Sequence, residues 1–138
     1  MRAFIDTSSL FKKYVNEQGA DTFDTLLQSV SEIIIAPITL LEINSIIERR
    51  LREKNLSTSD ADWIEKEFML DLNFYGVVEF NEALNSECIR VIRKYQMKVL
   101  DGIQLSSAIV AKPDVFIVSN KQLYKSATQE LKQVEFVG

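Results

Sequence analysis

The sequence predicts an α/β fold in which a mainly parallel sheet lies between two layers of helices. Two observations predict it. Short apolar runs, Ala3–Ile5, Ile33–Ala36 and Val115–Val118, alternate with longer stretches of helical periodicity. These runs are apolar at nearly every residue, as strands buried on both faces are. The 138 residues suit a single domain spanning 1–138, and no repeat, low-complexity tract or linker divides them. A 46% hydrophobic and 26% charged composition, with four Gly and two Pro, is that of an ordered globular chain.

The elements follow in order. Ala3–Ile5 is the first strand, and it stops at Asp6 and the hydroxyls Thr7, Ser8 and Ser9. Ser8 to Val15 reads as a short helix through Leu10, Phe11 and Tyr14, and Ala20 to Val30 as a second through Phe23, Leu26 and Leu27. After the strand Ile33–Ala36, Pro37 fits the first turn of a helix running to about Lys54, with Leu40, Ile43, Ile47 and Leu51 inward. The polar break 55–60 is rich in N-cap residues. A helix from about Asp60 to Asn73 then carries Ala61, Ile64, Phe68 and Leu72. Tyr75–Phe80 is a third strand. Asn81 caps a helix to Tyr95, and Asp101 opens another with Leu105, Ala108 and Ile109 inward. Pro113-Asp114 ends that helix before Val115–Val118. Asn120 starts the last helix, and Val134–Val137 is the last strand.

Composition excludes several chemistries. There is no His, so no imidazole metal ligand, His general base or Ser-His or Cys-His dyad is available. The single cysteine, Cys88, has no intrachain partner, which suits a reducing compartment. No apolar stretch approaches the about 20 residues of a membrane helix, and Asp6 and Lys12 interrupt any leader-like run. The expectation is a soluble, cytoplasmic protein without a membrane partner. A net charge of −4 argues against a protein that coats nucleic acid, though it permits a local basic patch.

Asp6, Asp101 and Asn120 recur where helices begin. Each reads as an N-cap, and Gln104 three residues after Asp101 resembles a capping box. Glu42 is different, because it lies inside a helix with Ile38 and Ile46 one turn to either side. A carboxylate on an apolar stripe needs a partner, a proton or a metal, unless the stripe's edge lets it reach water or pair with Arg49 or Arg50. Three carboxylates and one amide form an all-oxygen set suited to Mg²⁺ or Mn²⁺, where Zn²⁺ would usually ask for His or Cys. Such an ion can bind a scissile phosphate and activate water, so phosphodiester hydrolysis fits these residues better than acyl transfer.

Four segments together resemble the PIN-domain ribonucleases, most closely the VapC-like toxins of toxin–antitoxin pairs. They are Phe4-Ile5-Asp6-Thr7-Ser8-Ser9-Leu10, Thr39-Leu40-Leu41-Glu42-Ile43, Leu100-Asp101-Gly102-Ile103-Gln104-Leu105 and the stretch from Val115 through Asn120 to Leu123. The resemblance implies a PIN-like sheet of about five parallel strands, Mg²⁺- or Mn²⁺-dependent RNA cleavage, a homodimer and a cognate antitoxin. By position, Asp6, Glu42, Asp101 and Asn120 match the site, with Asp6 and Asp101 as metal ligands and Ser8 as a hydroxyl supporting the first acid. The chain departs from the pattern at Asn120, where the family more often has Asp, and at Val118, where it often has Thr or Ser. An uncharged amide would hold a second metal more weakly.

Two surface expectations follow from the residues. Arg90, Lys94 and Lys98 share a helix face at i, i+4 spacing and are candidates for RNA contact; a solvated face with ion pairs is the alternative. Trp63, Phe74 and Tyr75 lie around the helix that Asp60 begins, which suggests a dimer surface; a wide core stripe is the equal alternative. Two other functions compete with the nuclease. One is a catalytically weak domain that binds RNA or protein. The other is a phosphatase using Asp6 as nucleophile, which the missing second acid two residues on disfavours.

Overall fold

The computed structural model describes residues 1–138. The apolar runs pair into one sheet of five strands: β1 (Arg2–Ile5), β2 (Glu32–Ile35), β3 (Gly76–Val77), β4 (Val115–Val118) and β5 (Val134–Phe136). Their order is β3-β2-β1-β4-β5, and every pairing is parallel. Phe4 lies opposite Ile34 on one side and Phe116 on the other, and Ile5 lies opposite Ile117, so β1 ends one residue before β4 does. Asp6, the residue that follows β1, therefore emerges beside the end of β4, where its amide donates to the Ile117 carbonyl and Ser119 follows Val118.

Seven helices cover the sheet: α1 (Thr7–Phe11), α2 (Ala20–Leu27), α3 (Thr39–Arg52), α4 (Thr58–Leu72), α5 (Glu82–Tyr95), α6 (Val99–Ala111) and α7 (Lys121–Glu130). Alternation along the strands divides the core. Ala3, Ile5, Ile35 and Ile117 pack with Phe11, Ile43, Ile64 and Phe68 of α1, α3 and α4 on one face. Phe4, Ile34, Phe116 and Val118 pack with Val91, Leu105, Leu123 and Ala127 of α5, α6 and α7 on the other. Phe4 and Phe116 meet edge to face at 5.4 Å between ring centres, a geometry that adds to the about 1.5–3 kcal/mol each gains from burial.

Several boundaries differ from the sequence expectation. The first helix closes at Phe11, four residues early, and the chain continues to Tyr14 as turns. The helix after Pro37 begins at Thr39, and no side chain caps it. Tyr75–Phe80 contributes only Gly76–Val77 to the sheet, because β3 is an edge strand paired on one side only and Phe80 faces solvent. α6 starts at Val99 with Lys98 in the cap position, which moves Asp101 from the cap into the first turn. Gly102 lets α6 lie close on α5: a Cβ there would stand 2.7 Å from Ile92 Cγ1. No helix is long and apolar enough to cross a membrane.

Candidate active site

Asp6 is 4% exposed at the end of β1. Its Oδ1 accepts the Ser9 amide at 2.9 Å, so it caps α1, and its Oδ2 accepts the Ser119 amide at 3.4 Å. The cap and the buried acid are thus the same residue. Burial raises its carboxyl group to about 6; the Ser9 and Ser119 bonds partly oppose this, and the Glu42 charge adds to it. No Lys or Arg pairs with it. Ser9 and Ser119 hydroxyls, 2.7 Å apart, tie α1 to the end of β4 beside it.

Glu42 projects from the first turn of α3 and is half-buried. Its Oε1 accepts the Thr7 hydroxyl at 2.8 Å and the Gln104 amide at 2.8 Å. Gln104 Nε2 also donates to Thr7 Oγ1 at 2.9 Å. Thr7 follows Asp6 directly and Gln104 lies on α6 one turn beyond Asp101, so these bonds join β1, α3 and α6. Gln104 Oε1 is buried with no partner.

Asp101 and Asn120 line a second cleft of about 220 Å³ with Lys98 and Gln122. Asp101 is half-buried, and Asn120 is exposed and caps α7 through the Leu123 amide at 2.9 Å. No three acidic side chains close around one point that could hold an ion. The four expected positions form two neighbouring groups, Asp6–Glu42 and Asp101–Asn120, bridged by Gln104 and by the Ser119–Asn120 turn.

The remaining expected residues divide. Ser8 is exposed and does not bond Asp6; Ser9 does. Arg90 binds Glu87 at 2.9 Å and Glu130 at 2.5 Å, and Lys94 binds Glu130 at 3.0 Å. Both are engaged with α7, whereas Lys98 faces the Asp101 cleft. Thr7, Ser9, Gln104 and Ser119 join the site without having been candidates for it in the sequence, where Gln104 reads only as part of a capping box. A signal existed for Gln104, a long amide between Ile103 and Leu105 in an apolar helix.

The donor set fits a hard divalent cation. It offers carboxylate and amide oxygens only, and a buried carboxylate whose ionisation is opposed by burial and by a neighbouring carboxylate gains most from a cation. Asp6 and Asp101 would hold it, with Glu42 and Asn120 alongside.

The PIN domain family profile matches residues 3–128. No curated protein sequence matches the chain significantly. Among solved structures, a toxin–antitoxin complex from Klebsiella pneumoniae is 16% identical, with a TM-score of 0.65 over 88% of this chain and 89% of its own. VapBC2 from Rickettsia felis, bound to a DNA fragment from its promoter, is 14% identical, with a TM-score of 0.70 over 99% and 98%. FitAcB from Neisseria gonorrhoeae is 10% identical, with a TM-score of 0.69 over 99% and 96%. At these identities the likeness is one of fold.

Proposed function

Since the chain belongs to the PIN-domain family, we propose that it is an Mg²⁺- or Mn²⁺-dependent endoribonuclease and the toxin of a toxin–antitoxin pair. The observation that carries the reading is the placement of Asp6 and Glu42. A buried, unpaired carboxylate stands at the carboxyl edge of a parallel sheet, the usual ligand edge, next to a second carboxylate held by Thr7 and Gln104. Neither helix capping nor core packing requires that pairing.

The bound cation supplies a Lewis acid for the scissile phosphate and a water of lowered pKa. The chain's own residues position. Ser9 and Ser119 fix the Asp6 carboxylate through its two oxygens. Thr7 and Gln104 direct one Glu42 oxygen, leaving the other free to accept a proton from an attacking water. Asp101 and Asn120 border the adjoining cleft, where Lys98 meets substrate phosphate. Arg90 and Lys94 reach RNA only by exchanging Glu130 for it.

The antitoxin partner is inferred from the complexes that structural neighbours form. A homodimer is proposed from the exposed Trp63 and Leu70 of α4 and Phe74 just beyond it; Tyr75, expected with them, is half-buried against the core with its hydroxyl 3.0 Å from that of Tyr14. The test is cleavage of RNA with Mg²⁺ or Mn²⁺ by wild type, Asp6→Ala and Asp101→Ala, with folding checked by circular dichroism. Both variants are expected to be inactive; activity retained in both would sink the proposal.

A catalytically weak domain that binds RNA or protein is the second reading. It is favoured by the uncharged Asn120, whose amide oxygen is committed to capping α7. Titration with Mn²⁺ separates the two, since the nuclease requires metal binding that Asp6→Ala weakens.

A further inference from the structure

We infer that a basic cleft beside Asp6, built on Lys12, Arg49 and Arg50, receives a backbone phosphate of the RNA next to the one cleaved; the inference rests on the nuclease reading. The cleft has a volume of about 280 Å³, and Ser8, Gln18 and Ser119 complete its polar lining. Ser8, Ile46 and Arg49 also line the cleft that contains Thr7 and Glu42, so the two are continuous. Ser119 is the residue whose amide reaches Asp6. A strand of RNA with one phosphate at the acids can therefore lay a neighbouring phosphate among these cations.

Lys12 carries the argument. It is only 8% exposed, yet its ammonium donates no hydrogen bond and has one charged neighbour, Glu17 Oε1 at 3.6 Å. The stem is packed away while the ammonium keeps contact with solvent at the cleft, so its charge stays available to an anion. Glu17 does not neutralise it alone, since its other oxygen binds Arg50 at 2.7 Å. The Arg50 guanidinium carbon itself sits over the Phe11 ring, 4.6 Å from its centre. Arg49 makes no ion pair and faces both clefts. Three cationic side chains stand against one side-chain carboxylate, Glu17, in a lining completed by Gly138, on a protein whose net charge is −4. An anion with several oxygens would supply what Lys12 and Arg49 lack. The phosphodiester is the anion that a cation held by the adjoining acids would bind.

The test is binding of a labelled single-stranded RNA oligonucleotide in EDTA, across a series of salt concentrations, independent of cleavage. Arg49→Gln, an exposed substitution, and Lys12→Gln are each expected to weaken binding about 5-fold and to lower the slope of log affinity against log salt by about 0.7. Glu17→Gln releases Lys12 and Arg50 and is expected to tighten binding, a gain that a purely structural ion pair would not produce. The inference is overturned if Arg49→Gln keeps the wild-type affinity and slope, or if Glu17→Gln weakens binding while folded. It is equally overturned if wild type binds no RNA, or if the variants lose only binding to a protein partner. If the wild type binds with these effects yet never cleaves, the nuclease reading fails and the cleft stands.

Discussion

Replacing Gln104 by Leu separates holding Glu42 from holding the fold. Gln104 is 4% exposed, and Leu preserves most of its volume in an apolar helix. The loss is the amide bond to the Glu42 carboxylate at 2.8 Å, worth about 1.5–3 kcal/mol for a charged acceptor, and the bond to Thr7 at 2.9 Å. The gain is removal of the buried, unpartnered Oε1, whose presence costs about 1–3 kcal/mol. The two nearly cancel, so urea denaturation should show a change within about 1 kcal/mol. Glu42 keeps only the Thr7 hydroxyl and is free to swing by an ångström or more, a displacement of the size that costs about 100-fold in rate. The expected result is kcat reduced about 10- to 100-fold with KM little changed. A kcat within a factor of two of wild type, in a folded variant, would refute the role given to Gln104. A stability loss beyond about 3 kcal/mol would refute the cancellation.

Three further outcomes are expected. Burial pushes the Glu130 carboxyl up, but bonds from Arg90, Tyr95 and Lys94 outweigh it and hold the group near 2, below its ordinary 4.5. Its stabilisation is therefore present above pH 4.5 and lost as pH falls toward 2. Glu130→Gln should cost about 1 kcal/mol at pH 7, after allowance for its half-exposed partners, and only a small fraction of that at pH 2, as denaturant melts at the two pH values would show. Gly19 has φ +87°, and a Cβ there would run into the Val137 carbonyl oxygen, so Gly19→Ala should lower stability by more than about 2 kcal/mol in thermal melts. If α4 and the residues just after it form the dimer surface, Phe74→Glu, at a residue 84% exposed, should give a monomer in sedimentation without loss of thermal stability per chain; an unchanged dimer would move the interface elsewhere.

Local signals were legible wherever one segment sets its own conformation. Asn81 and Asn120 cap the helices they precede, and Asp6 caps α1 as its side chain allowed. Asp101 shows the limit. Its type and the Gln104 that follows suggest a capping box, but the cap falls three residues earlier, at Lys98, and Gln104 instead donates to Glu42 and Thr7.

The sequence by itself determined the sheet, because period and apolar content are local properties that the parallel strands must satisfy on both faces. It also determined that oxygen ligands alone were on offer, through the absence of His. Tertiary structure alone decided which of those oxygens meet. Gln104 reaches Glu42 across 62 residues and Thr7 across 97, and α7 brings Glu130 to Arg90 across 40. Such pairs depend on how helices seat against the sheet, down to Gly102 admitting Ile92, and no window of the sequence contains both partners. Asp6 is the point where the two levels coincide: a local cap at the end of a local strand, its carboxyl raised by the burial the fold imposes and by the Glu42 charge placed beside it.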